Sequence, residues 1–286
     1  MSHRLPRFLR YSLIASLPAL GLLIGGLSSP AGASTHPSAQ AQAAAIAKAA
    51  IRQLTIGQPT NHRVPGSSRH ELSGLTNVQS TNWSGYADTG SSFSKVTGSW
   101  TEPSATCSSR TTSLAAFWVG IDGFTSGSVE QDGTLIECFQ GTAFHFSWWE
   151  MFPTNAVQVV GQSVAAGDHI STSVVRSGTS YTLTVTDSTH SANSFTTTQS
   201  CSSCANTSAE WIAEAPSSSS GVEPLAHFST WTDSSSTVTQ GSTAGVISSF
   251  TDDEITMINN SGAVKAQPSA LNSSGNGFSV TWERAT

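Results

Sequence analysis

From Val78 to the C-terminus the apolar residues come in short runs separated by Gly, Ser and Asn clusters, and none keeps a sustained helical period. Such runs predict strands at 93–101, 114–121, 144–152, 157–160, 169–175, 181–186, 210–214, 225–231, 254–259 and 278–282. Ten or more short strands imply an all-β domain, either a two-sheet sandwich or a barrel. Tyr181, Leu183 and Val185 alternate with threonines, so one face of that strand should be wet. Residues 144–152 carry aromatics on both parities, so both faces must be covered or one must line a groove.

The run 208–216 places two acids in apolar company. Alternate strand residues share a face, so Glu210, Ile212 and Glu214 point one way and Trp211 and Ala213 the other.

The N-terminal third reads differently. Residues 1–33 have a basic start, an apolar run and the small-residue ending Ala31-Gly32-Ala33, which is the pattern of a secretory signal peptide. Residues 34–77 are Ala- and Gln-rich and basic. Within them 39–54 has a helical period with Ile46, Ala50, Ile51 and Leu54 on one side, and the helix breaks at Gln58-Pro59-Thr60-Asn61. Residues 78–286 hold 17 of the 18 acids against five Lys and Arg, a formal charge of −12. A basic segment before an acidic body predicts a propeptide that docks by charge on its own chain, as an intramolecular inhibitor of whatever that body does, and lets go when the carboxylates protonate. Maturation is then expected near Val78.

Charge also excludes partners. A body this acidic lacks the clustered Lys and Arg that phosphate contacts need, so no nucleic acid is expected. No stretch after the signal could cross a bilayer, so the mature chain should be secreted, extracellular and monomeric. Cys107, Cys138, Cys201 and Cys204 allow three pairings, and in a secreted chain disulfides are the natural reading. A single CxxC without a His at ligand spacing is a poor zinc site, and neither a metal nor a cofactor is expected. Asn82, Asn206, Asn259 and Asn272 head glycosylation sequons.

Common hydrolase signatures are missing. There is no G-x-S-x-G and no H-E-x-x-H, and the body's four histidines are scattered. Asp88-Thr89-Gly90 looks like half of an aspartic-peptidase site, but that chemistry needs a second carboxylate and no second triplet exists, so it reads as a turn.

Five stretches do form a pattern: Asn82-Trp83-Ser84-Gly85, 117–123 (FWVGIDG), 129–133 (VEQDG), 148–153 (WWEMFP) and 209–214 (AEWIAE). In this order and spacing the chain resembles the glutamic peptidases, or eqolisins. The resemblance implies an acid-acting secreted endopeptidase on a two-sheet antiparallel β-sandwich of the concanavalin or lectin-like jelly-roll kind, with polypeptides as substrates. It places the catalytic Gln at Gln131 and the catalytic Glu at Glu214, and sets Trp83, Gly85, Trp118, Asp122, Trp148 and Glu150 along the substrate cleft. The chemistry suits acid: a carboxylate titrating near 4.3 can act as base where a His cannot, and an amide donor works at any pH. Glu130 and Asp132 depart from the family pattern, and Asp132 is expected either to repel ionised substrate groups or to shift the pKa of Glu214 upward.

Two rivals differ in kind. Acids at i and i+4 on a strand also occur in β-sandwich glycoside hydrolases, although those need a third acid where Ile212 stands. A non-catalytic carbohydrate-binding lectin would leave Gln131 and the basic segment unexplained.

Overall fold

The computed structural model describes residues 37–58 and 76–286. The signal-peptide expectation therefore falls outside the described residues.

Fourteen strands hydrogen-bond in one continuous order. In chain order they are β1 Trp83–Thr89, β2 Phe93–Thr101, β3 Ser113–Ile121, β4 Val129–Phe139, β5 Thr142–Phe152, β6 Asn155–Val164, β7 His169–Ser177, β8 Ser180–Asp187, β9 Phe195–Ser200, β10 Ser208–Glu214, β11 Trp231–Gln240, β12 Thr251–Ile258, β13 Val264–Pro268 and β14 Phe278–Trp282. Across the sheet they run β9-β8-β7-β2-β11-β14-β13-β12-β1-β10-β3-β4-β5-β6, and every neighbouring pair is antiparallel. One strand links the two layers. Trp231 to Asp233 pair with β14 while Ser234 to Gln240 pair with β2, across a register shift. The layer containing β2, β7 and β8 then packs on β3 and β4, which makes a two-layer antiparallel sandwich rather than a closed barrel.

Strand parity divides the core in two. Ala115, Phe117, Val119 and Ile121 of β3 point between the layers, joined by Trp211 and Ala213 of β10 and by Trp231, Tyr181 and Leu183. Leu114, Ala116 and Trp118 point the other way, together with Trp83, Trp148 and Ile212. That second face would be an exposed apolar patch if nothing lay on it. Helix α1 (Ala39–Ile51), with Ser38 Oγ accepting from Ala41 N–H at its start, covers it with Ala47, Ile51, Leu54 and Ile56.

Several expectations need correction. The helix buries Ala47, Ile51 and Leu54, whereas Ile46 is 56% exposed and Ala50 is also outside. Residues 225–231 form only the short strand His227–Phe228 and the start of β11. Asp88 is a buried residue of β1, opposite Asp252, and not part of a turn. Strands β1, β4, β9 and β13 were not predicted. Of the basic segment's described residues Arg52 is exposed, while apolar side chains and backbone hydrogen bonds make buried contacts with the body, and Arg63 and Arg69 lie outside the described residues. Of the 17 acids in the body, 14 are buried rather than displayed. The four cysteines pair as Cys107–Cys138 and Cys201–Cys204, so the CxxC thiols close on each other. Asn82 is wholly buried, so its sequon is closed to glycosylation. Among the described residues no helix is long and apolar enough to cross a membrane.

Candidate active site

The helix-covered face gathers side chains from five strands. On β10 both Glu210 and Glu214 point to it, with Ile212 between them. β3 lies between β10 and β4 and supplies Trp118, which is in register with Ile212 and Gly133. On β4, Gln131 lies opposite Gly120 on one side and Glu150 of β5 on the other. A Cβ at Gly120 would crowd both Trp118 and Gln131, so the missing side chain there makes room for them.

Glu214 is fully buried and met almost entirely by donors. Trp118 Nε1 donates to its Oε2 at 3.0 Å, the Gly57 N–H donates to the same oxygen at 2.8 Å, and Asn82 Nδ2 donates to Oε1 at 3.2 Å. Trp83, edge-on to Trp118 with ring centroids 5.0 Å apart, adds a further indole contact. Burial pushes the Glu214 carboxyl up to about 8, and these donors pull against that rise. With residues 54–58 in place, the donors on the carboxylate come from three segments of its own chain.

Gln131 spends both amide hydrogens. Its Nε2 donates to the Ile56 carbonyl at 2.9 Å and to Glu150 Oε2 at 3.0 Å. Burial, reinforced by the nearby Glu214, pushes Glu150 well above the ordinary carboxylate range, and its Oε2 accepts from Gln131 and so fixes the plane of that amide. Trp148 is buried on the same face, in register with Gly133.

Two of the expected cleft residues do other work. Gly85 has φ of +150°, and any Cβ would collide with the Trp211 carbonyl, so it is glycine for the sake of strand approach. Asp122, with φ of +69°, accepts from the backbone N–H groups of Asn206 at 2.7 Å and Thr207 at 2.8 Å and so ties down the loop before β10. It stands with Glu130 and Glu210, not with Gln131 and Glu214. Asp132 is likewise on the opposite face of β4 from Gln131, fully buried between the layers, and does not act on Glu214. Sequence reasoning missed Asn82 as a contact of Glu214. Its signal was its place at the head of the Asn82-Trp83-Ser84-Gly85 motif. It also missed the approach of residues 55–58 to this face: Thr55 N–H donates to Ser217 O at 2.8 Å, Ser217 N–H donates back at 3.0 Å, and Asn82 Nδ2 holds Gln58 O at 2.9 Å.

The helix-covered face of this antiparallel β-sandwich thus holds the backbone of residues 56 and 57 between a buried Gln and a buried Glu. Residues 81–282 match the model of the Peptidase A4 family, and the chain belongs to that family, the glutamic endopeptidases or eqolisins. Aspergillopepsin-2 of Aspergillus niger is 28% identical over 208 residues, which span 64% of this chain and 74% of that protein. Scytalidoglutamic peptidase bound to a transition-state analogue inhibitor superposes with a TM-score of 0.61 at 25% identity, over 71% of this chain and 98% of that one. The eqolisin SCP-B in complex with the tripeptide Ala-Ile-His gives 0.58 at 26% identity, with the same coverage.

Proposed function

We propose that this chain is the precursor of a secreted endopeptidase that works in acid, with Glu214 as general base and then general acid and Gln131 as the oxyanion donor. What carries the reading is that both side chains already contact one peptide bond on the helix-covered face. Glu214 takes a proton from water as the water attacks a peptide carbonyl, and returns it to the departing amine. Gln131 Nε2 stabilises the negative oxygen formed on the way, a contribution typically worth about 3 to 4 kcal/mol. Glu150 acts as a positioning residue for that amide. Trp83 and Trp118 wall the site and, with Asn82, orient the Glu214 carboxylate, and Trp148 extends the apolar floor.

In the same reading residues 34–77 are the propeptide, with α1 as its lid and 54–58 as the segment that blocks the cleft. Apolar burial holds it, and its departure opens the cleft to other peptides. The body then starts by the strand Thr76–Ser80, which pairs in parallel with β12. The acid form of the protein should hydrolyse denatured casein and leave a β-glucan untouched. Glucan hydrolysis without proteolysis would replace this reading with the glycosidase one.

A further inference from the structure

The two proposed catalytic groups do not merely touch the same segment. They hold the two ends of one peptide bond: the carbonyl oxygen of Ile56 accepts from Gln131 Nε2 at 2.9 Å, and the nitrogen of Gly57 donates to Glu214 Oε2 at 2.8 Å. The neighbours of that bond are held as well. Thr55 makes an isolated antiparallel bridge with Ser217, Ile56 is fully buried among the apolar residues of the cleft, and Gln58 O is caught by Asn82. An inhibitory plug need only fill the space. This segment instead sets its amide carbon between an oxyanion donor and a carboxylate, the arrangement in which reacting groups are already close to the attack geometry.

We infer that the Ile56–Gly57 bond is the enzyme's own first substrate, cut within the same molecule. The inference rests on the assignment of Gln131 and Glu214 made above. Water adds to the Ile56 carbonyl carbon while Glu214 removes one of its protons. The carbonyl oxygen becomes an oxyanion on Gln131 Nε2. The proton passes from Glu214 to the Gly57 nitrogen, the C–N bond breaks, and an Ile56 carboxylic acid and a Gly57 amine remain. Cleavage is thus placed about twenty residues upstream of the composition break near Val78, and later trimming of the freed 57–75 tether is a separate step.

Glycine is required on the amine side. Gly57 has φ of +75°, and a Cβ there would collide with the Gln131 side-chain amide. Gly57→Val therefore pushes the segment off the site without touching any residue of the processed enzyme's machinery.

The test starts from the full secreted precursor, purified at neutral pH and then acidified across a wide dilution series. Intact-mass analysis and N-terminal sequencing should give Gly57 as the first new N-terminus with a complementary peptide ending at Ile56, at a rate independent of dilution. Gly57→Val should slow cleavage of this bond by about 10²-fold, as expected for a displaced reacting group, and should show casein activity before processing. A first cut elsewhere with the 56–57 bond intact, or a rate that rises with protein concentration, overturns the inference. If the protein digests casein while this bond survives, only the self-cleavage is lost. If no form of it digests casein, the catalytic assignment fails and this inference fails with it.

Discussion

Glu210 and Glu214 project from the same face of one strand, four residues apart and both buried, yet only Glu214 has N–H donors on both carboxylate oxygens. Glu210 accepts from the Phe124 N–H at 3.3 Å through Oε1, and its Oε2 is without a partner. Burial, with the neighbouring Asp122 and Glu130, pushes Glu210 well above the ordinary range. Glu214→Gln should therefore lower casein turnover by at least ~10²-fold, while Glu210→Gln stays within about tenfold of wild type. A dead Glu210→Gln beside an active Glu214→Gln would exchange the two roles.

Gln131 and Glu150 should separate in kinetics. Gln131→Ala removes a donor used in the transition state and should cost about 10²- to 10³-fold in kcat. Glu150→Ala frees the amide to rotate and should lower kcat by about tenfold with little change in KM, whereas Glu150→Gln retains an acceptor and should recover most of that loss. Equal losses for both Glu150 variants would mean that the carboxyl acts chemically and not by orientation.

Stability should fall as pH rises. Burial lifts Asp88 and Glu130 to about 9, Asp233 to about 8 and Glu137 to about 7, while in the unfolded chain these acids ionise near 4. Raised values mean that the folded state binds more protons. The full stability is present below about pH 4 and is lost progressively as pH climbs towards the folded values of about 7 to 9. Melting temperature should drop by at least ~10 °C between pH 4 and pH 8, measured on the Glu214→Gln protein to prevent self-digestion. A flat or rising profile would show that these acids are ionised inside the fold.

Inhibitor classes give an independent check. Fluorophosphonates, thiol reagents and chelators should leave activity intact, since no Ser or Cys nucleophile and no metal is assigned a role. Pepstatin should also fail, because the buried Asp88 is in register with Asp252 in the sheet, on the strand face that Tyr86 shares and away from Glu214. Inhibition by pepstatin would bring that acidic pair back as a candidate site.

How much of this was legible in the sequence depended on whether polar residues obeyed the pleat. β3 and β10 could be read from apolar runs and parity, and Tyr181 to Thr186 showed its alternation openly. β4 could not: Glu130, Gln131 and Asp132 are three consecutive polar residues that look like a turn, although all three are buried, two between the layers and one on the other face. The motif order located Gln131 and Glu214 without saying what surrounds them. The contacts that define the site join residues 75 and 157 positions apart, Ile56 to Gln131 and Gly57 to Glu214, and no local pattern encodes such a meeting. Asp122 shows the opposite error, since its motif placed it in the cleft and its hydrogen bonds place it in a loop anchor.

The burial of most of the acids reaches beyond the active site. Burial raises Asp88 and Glu130 to about 9, Asp233 to about 8 and Glu137 to about 7, and it lifts Asp132, Glu150 and Glu210 above the ordinary range, although the sequence counts each as a negative charge. The sequence-based isoelectric point of 5.7 therefore describes the unfolded polymer. The folded molecule should migrate in an electric field as a more basic particle and leave an anion-exchange column early.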